Sequence, residues 1–234
     1  MHLRNNDFAG LSMILMWRNM EQEKKVSIAV VKRLPRYYRY LSDLLKLDIT
    51  RISSKELSLR MGTTASQIRQ DLNCFGGFGQ QGYGYNVEYL YEEIGKILGV
   101  AKKFKFIIIG AGNMGRALAN YNNFAPRGFQ LAGIFDVNTQ IIGTTIRGFV
   151  VRNQNELDSF LKENQIDIAM LTVPYDQAAV VADKLAKLGV KGLWNFSPMD
   201  LKLDHDVIIE NVHLSDSLMV LGYKLNQKFY ETKE

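Results

Sequence analysis

Gly110, Gly112 and Gly115 stand in the spacing G-x-G-x-x-G directly behind an apolar run, Phe106 to Ile109. Such a run suits a strand buried on both faces of a parallel sheet, and the glycines fall where it would turn into a helix. Each glycine has its own task. Gly110 permits the tight turn out of the strand, Gly112 lets the backbone approach a pyrophosphate, and Gly115 lets the helix pack near the sheet. Ala111, Asn113 and Met114 complete the loop, whose free N–H groups would face phosphate at a helix N-terminus that favours negative charge. The next apolar run, Leu131 to Phe135, ends in Asp136. Its distance from the glycines suits a carboxylate that grips the adenosine ribose 2′-hydroxyl. A carboxylate there would repel a 2′-phosphate, so the pattern favours NAD or NADH over the phosphorylated forms. The bland alternative is a glycine-rich turn in an α/β domain that has lost its ligand.

Further along, Asp167 to Thr172 reads as another buried strand, stopped by Val173 and Pro174, and Gly192 to Phe196 as a further one. Ligands of open α/β sheets bind at the carboxyl ends of the strands, which makes Thr172, Val173, Pro174 and Asn195 candidates for the same site. Val207 to Glu210 reads as a last strand, and Asn155 to Asn164 and Asp176 to Leu188 as helices between strands. Hydride-transfer enzymes normally need a placed acid or base, and the only histidines are His2, His205 and His213. A nicotinamide-dependent dehydrogenase with an accessory domain is therefore the rival reading, with His213 as its sole nameable base.

These elements account for the second half of a 234-residue chain. A Rossmann half that begins near residue 104 leaves a stretch before it long enough for a second domain. From Lys24 to Leu98 there are 12 Lys and Arg against 7 Asp and Glu, whereas 99 to 234 has 15 against 14, so the basic excess belongs to the first domain. That asymmetry points to an anionic partner such as nucleic acid, with a solvated basic face as the plain alternative. The single cysteine, Cys74, excludes an intramolecular disulfide and suits a reducing, cytoplasmic setting. No apolar stretch is long enough to span a bilayer, so no membrane role is expected. Residues 1 to 23 read as an N-terminal extension.

Val26 to Leu47 has apolar residues at helical spacing with Lys32, Arg33, Arg36 and Arg39 interleaved, and Pro35 predicts a kink or restart. Arg33 and Arg36 are candidate phosphate contacts. Ser53 and Glu56 have the spacing of a capping box, Gly62 stops that helix, and Thr63 or Thr64 starts another over Ala65 to Leu72. Two short helices about a glycine turn make a helix-turn-helix, the second of which would enter a major groove with Ser66, Gln67, Arg69 and Gln70. Phe75 to Tyr85 alternates aromatics with glycine, which predicts a β-hairpin wing, with Gln80 and Gln81 near its tip. Asn86 caps a helix through Leu98. Leu214, Leu218, Leu221, Leu225 and Phe229 make one stripe of a final helix, either core or a docking face for a second subunit.

Taken in order, S-S-K-E-L, Q-I-R-Q-D-L, F-G-G-F-G…G-Y-G-Y-N-V, G-A-G-N-M-G, G-I-F-D, L-T-V-P and W-N-F-S-P resemble the Rex family of bacterial redox-sensing transcriptional repressors, from about Val26 to Tyr230. The resemblance implies an α/β chain: a winged-helix DNA-binding domain at 24–99, a Rossmann domain at 104–212 and a C-terminal dimerisation helix at 213–234, swapped between subunits of a homodimer. It further implies that double-stranded operator DNA is bound by Arg69 in the major groove and by the Gly79 to Gly82 turn in the minor groove. NADH would release that DNA. Tyr121 would sit near the nicotinamide, and Leu214 would line the same pocket. Arg39, Tyr121 and the residue at His213 would couple cofactor state to domain arrangement. Three departures from the family pattern stand out. Gln80 and Gln81 replace a basic pair, Gln70 stands where lysine is common, and His213 stands where the family usually shows Asp. Each lost cation removes about one phosphate neutralisation, which implies weaker and less salt-dependent DNA binding. A histidine for a permanent anion implies altered redox coupling, and hence the alternative of a divergent paralogue with little NADH response.

Overall fold

The computed structural model describes residues 26–75, 79–80 and 83–230, with Gln80 by its backbone alone. The expected extension at 1–23 and the wing residues Gln81 and Gly82 lie outside the described residues. The chain divides into two compact units, Met1–Gly99 and Val100–Glu234.

In the first unit the expected kinked helix is two helices, α1 (Ile28–Val31) and α2 (Leu34–Leu45). Pro35 lies in the first turn of α2, where a missing N–H leaves no bond unmade, so the chain breaks before it and not across it. Leu34, Tyr37, Leu41 and Leu44 of α2 are buried at helical spacing. After β1 (Arg51–Ile52), α3 (Ser54–Met61) opens with the expected box: Glu56 N–H donates to Ser53 Oγ at 3.1 Å, and Ser53 N–H donates to Glu56 Oε2 at 2.8 Å. Thr64 caps α4 (Ala65–Asn73) through the Gln67 N–H at 3.1 Å. The wing strands β2 (Gly79–Gln80) and β3 (Gly84–Asn86) pair antiparallel. β1 adds a third strand to β3, a partner too short to be legible in sequence. Asn86 then caps α5 (Val87–Ile97). Helix-turn-helix plus wing makes this unit a winged helix.

One carboxylate holds α4 in place. Asp71 stands on the inner face of α4 beside Ile68 and Leu72 and is 1% exposed. Arg33 donates to it twice, from Nε at 2.6 Å and Nη2 at 2.7 Å, Tyr37 Oη donates at 2.8 Å, and Gln67 Nε2 at 2.8 Å. Burial pushes the Asp71 carboxyl up, but the hydrogen bonds from Arg33, Gln67 and Tyr37 outweigh it and hold the group below the ordinary carboxylate range.

The second unit contains β4 (Phe104–Ile109), α6 (Asn113–Ala119), β5 (Phe129–Asp136), β6 (Thr145–Ile146), β7 (Phe149–Asn153), α7 (Leu157–Glu163), β8 (Ile168–Leu171), α8 (Tyr175–Lys187), β9 (Gly192–Asn195), β10 (Ile208–Asn211) and α9 (Leu214–Leu225). The sheet runs β10-β9-β8-β4-β5-β7-β6, parallel throughout except for β6. That is a Rossmann sheet, and β4 is central because Phe106 to Ile109 are all within 1% of complete burial. Alternation along β4 sends Ile107 and Ile109 to the face covered by α7 and α8, and Phe106 and Ile108 to the face that carries α6. The β6–β7 hairpin and its Arg147–Gly148 tip were not anticipated from sequence. Among the described residues no helix is long and apolar enough to cross a membrane.

Removing the Asp71 carboxylate orphans the buried Tyr37 hydroxyl and leaves Arg33 without its partner. Asp71→Ala is expected to destabilise the first unit by about 2–4 kcal/mol, measured by denaturant unfolding followed by circular dichroism. Because the folded carboxyl titrates below its unfolded value, its contribution is present above about pH 4 and is lost as pH falls through the folded value. Wild type and variant should therefore converge in acid.

Candidate functional site

At the end of β4 the chain turns at Gly110, whose φ of 96° lies in the left-handed region. The Gly110 N–H donates to the Phe135 carbonyl at 2.8 Å, and the Thr172 hydroxyl lies 2.7 Å from the Gly110 carbonyl and 3.0 Å from that of Ile109. The glycines differ in what surrounds them. A Cβ on Gly115 would stand 1.9 Å from the Gly110 carbonyl oxygen and one on Gly110 2.5 Å from the Thr172 carbonyl oxygen, whereas one on Gly112 would meet nothing within 4 Å. Two glycines are thus demanded by the protein's own backbone, and the third faces open space. Gly112 also offers no side chain to cap α6, which leaves the first-turn N–H groups of Asn113, Met114 and Gly115 for a ligand.

Asp136, half-buried at the end of β5, completes the loop. Its Oδ2 accepts the Ala111 N–H, and its Oδ1 accepts the Asn138 N–H at 2.7 Å. Each oxygen keeps a lone pair, so the carboxylate can accept from a ribose hydroxyl while it holds the glycine loop. Arg116, which the sequence reading missed, donates from Nε to the Ala111 carbonyl at 3.0 Å and adds a cation to the cradle. The residues fit an NAD-type dinucleotide: open space before Gly112, free amides and a ribose-ready acid. Val173 is partly buried and Pro174 precedes α8, both at the carboxyl edge with Thr172.

Asn195 requires a correction. It is fully buried, donates from Nδ2 to the Met199 carbonyl at 2.7 Å and to Asn211 Oδ1 at 2.9 Å, and accepts from the Ser197 N–H and hydroxyl. Its amide is saturated, so it shapes the loop after β9 and has no capacity left to hold a cofactor.

Tyr121, just past α6, is 47% exposed and edge-on to Phe124 with centroids 4.8 Å apart. Phe124 packs edge-on against Phe106 and Trp194, and Trp194 against Phe196. Tyr121, Phe124, Trp194 and Phe196 line an apolar groove of about 770 Å³ with Leu118 and Phe129, on the sheet face that carries α6. His213 directly precedes α9, and its Nε2 lies 2.9 Å from Asp200 Oδ1. That hydrogen bond, helped by the charges of Asp200 and Asp216, raises the His213 pKa. The tie is therefore strongest below the ordinary histidine value and weakens as pH rises through the folded one. Neither Asp200, in the loop after β9, nor Asp216, in the first turn of α9, is legible as a partner of His213 in sequence, because such contacts leave no periodic trace. Leu214, the first residue of α9, is exposed.

On the first unit Ser66, Arg69 and Gln70 lie exposed along α4. Arg69 Nη1 donates to Ser54 Oγ at 3.0 Å. Arg36 and Arg39 are exposed on α2, and each guanidinium approaches the Tyr40 ring, at 5.9 and 5.7 Å. Arg33 has a structural task the sequence did not show: its Nε and Nη2 are engaged by Asp71, which leaves its remaining N–H donors on a partly exposed guanidinium. Gln67 is committed in part, since its amide nitrogen serves Asp71. The sequence signal for this network was an acid on the apolar face of a helix. The Gln80 side chain and all of Gln81 lie outside the described residues.

Residues 25–73 match the family model described as "Putative DNA-binding protein N-terminus", and 101–199 match the one described as "CoA binding domain". The chain is 57% identical over 209 residues to the redox-sensing transcriptional repressor Rex of Thermoanaerobacter pseudethanolicus, covering 89% of this chain and 93% of that one. It is 56% identical over 215 residues to Rex of Caldicellulosiruptor saccharolyticus, covering 92% and 98%. Among solved structures, RSP in complex with beta-NAD+ and operator DNA superposes with a TM-score of 0.81 at 58% identity, covering 87% of this chain and 94% of that one. RSP in complex with beta-NADH gives 0.81 at 54% identity, covering 88% and 96%.

The unequal surroundings of the glycines predict unequal variants. Gly112→Ala should leave the melting temperature nearly unchanged yet weaken NADH binding about tenfold or more in a fluorescence titration. Gly115→Ala should lower the melting temperature as well, because its methyl collides with backbone.

Proposed function

The chain belongs to the Rex family of redox-sensing transcriptional repressors, and from that membership we propose that it binds double-stranded operator DNA as a homodimer in the cytoplasm and releases it when NADH is bound. The observation that carries the reading is the phosphate cradle: backbone fills the space behind Gly110 and Gly115, while the space before Gly112 stays open. NAD and NADH are the ligands this cradle suits, because Asp136 would repel a 2′-phosphate.

On this reading residues 24–99 hold the operator, 104–212 hold the dinucleotide and 213–234 join the subunits. Arg69, Ser66 and Gln70, with the free part of Gln67, face base edges; Arg36 faces phosphate; and Gln80 and Gln81 belong to the wing that follows the minor groove. The dimer is supported by apolar surface that a lone chain leaves wet. Leu214, Leu218, Leu221 and Leu225 on α9 are 42–68% exposed, and the groove beside Tyr121 and Trp194 is as apolar as they are. A second copy's α9 has the chemistry to cover it.

Release of DNA requires that the cofactor prefer one dimer arrangement, since equal binding to both shifts nothing. Reduced nicotinamide is neutral and puckered and the oxidised ring is cationic and flat, so Tyr121 and Leu214 in an apolar pocket can tell them apart. Arg39 and His213 are the candidate partners of Tyr121 in passing that difference on. A second reading, a paralogue with a blunted NADH response, is favoured by His213, whose imidazole is tied to Asp200. The dehydrogenase reading is set aside, because the relatives over nine-tenths of the chain are repressors and no enzymes.

NADH at fixed salt should lower operator affinity in an anisotropy titration, and an unchanged affinity would select the blunted paralogue. Arg69→Ala should relax base preference at one operator position by about 1–3 kcal/mol. Arg36→Ala should weaken all sequences alike and reduce the salt slope by about one. Identical behaviour of the two variants would show that α4 is not the reading helix.

A further inference from the structure

The tip of the β6–β7 hairpin is a two-residue turn, Arg147–Gly148, with φ values of 51° and 82°. A turn with both central residues left-handed is the I′ type, which favours Asn-Gly or Gly-Gly and which an arginine occupies at a cost. A strained arginine needs a compensating interaction, and its contacts supply one. Arg147 Nη1 donates to the Ala119 carbonyl at 3.1 Å and to the Tyr121 carbonyl at 3.2 Å. Ala119 is the last residue of α6, where carbonyls lack partners within the helix and the dipole favours a cation, and Tyr121 lies two residues beyond it.

α6 is short, and on the proposed reading its two ends serve different parts of a dinucleotide. Its N-terminal end carries the phosphate cradle, and its C-terminal end leads directly into Tyr121. The Tyr121 ring rests edge-on against Phe124, in a series of rings that reaches Trp194. The same hairpin is anchored beside the ribose acid, since Asn153 of β7 pairs with Asp136 of β5. One hairpin therefore spans the two ends of the cradle, with its root at the adenosine end and its tip at Tyr121.

We propose that Arg147 is a positioning residue for nicotinamide discrimination: by pinning the carbonyls of Ala119 and Tyr121 it fixes where the Tyr121 ring stands, and so sets the relative affinity for the reduced and oxidised rings. The proposal rests on the reading of Tyr121 as the nicotinamide-facing residue. The described hydrogen bonds of Arg147 go to the two carbonyls, so its action runs through the tyrosine.

The test measures dissociation constants for NADH, NAD and ADP-ribose, which lacks the nicotinamide, by calorimetry on the full-length protein. Arg147→Met should keep ADP-ribose affinity within about twofold and shrink the ratio of NADH to NAD affinity by about five- to tenfold. Arg147→Lys should restore part of that ratio, since both bonds come from one nitrogen and an ammonium can donate to both carbonyls at slightly shorter reach. If Arg147→Met melts too low to titrate, Arg147→Lys alone decides, with an expected loss of about two- to fivefold in the ratio and none for ADP-ribose. Tyr121→Ala serves as the reference. If it loses the ratio and the Arg147 variants keep it, the proposal is overturned and the reading of Tyr121 stands. If Tyr121→Ala keeps the ratio, the tyrosine does not face the nicotinamide and both fall. Equal weakening of all three ligands by the Arg147 variants would make Arg147 a helix cap only and overturn the proposal.

Discussion

The second unit depends on how closely α6 can approach β4. The approach is closest where Gly115 passes the Gly110 carbonyl, at a separation that no side chain tolerates. That contact brings the first turn of α6 against the loop, and Thr172, just past β8, holds the loop through the Gly110 carbonyl. The strand order brings these residues together: β4 lies between β5, which delivers Asp136, and β8, which delivers Thr172. An anion site built from backbone N–H groups depends on backbone position alone, so the packing that excludes a methyl group is also what prepares the site.

In the first unit the equivalent constraint is a buried charge. Asp71 fastens α4 to α2 through Arg33 and Tyr37, and it does so with directional bonds where apolar contacts would permit small rotations. A carboxylate with four donors around it sets the orientation of α4, and with it the direction of the exposed Arg69, more narrowly than Ile68 and Leu72 could. The network also orients Gln67, so one interior acid affects both stability and the outer face of α4.

Beyond either unit, α9 is apolar but solvated along its length, and a groove of matching character lies open on the sheet face that carries α6. Exposed apolar surface on this scale costs free energy in water, which is a physical argument for association. The same apolar character on helix and groove is what a self-association of this kind requires.

From sequence alone, local rules sufficed for the G-x-G-x-x-G turn, the capping box at Ser53 and Glu56, the cap at Asn86, the buried strands β4, β5 and β8, and the stripe of α9, because each is written within a few residues by periodicity or capping chemistry. Motif order was enough for the family. Tertiary structure alone decided the partners of Arg33, Gln67 and Asn195, the pairing of β1 with β3, the β6–β7 hairpin with Arg147 at its tip, and the tie between His213 and Asp200. Those features join residues that are far apart in the chain or lie in loops without a repeat. A hydrogen bond between distant side chains leaves no pattern in composition, so only the folded geometry shows that Arg33 is engaged by Asp71 while Arg36 stands exposed.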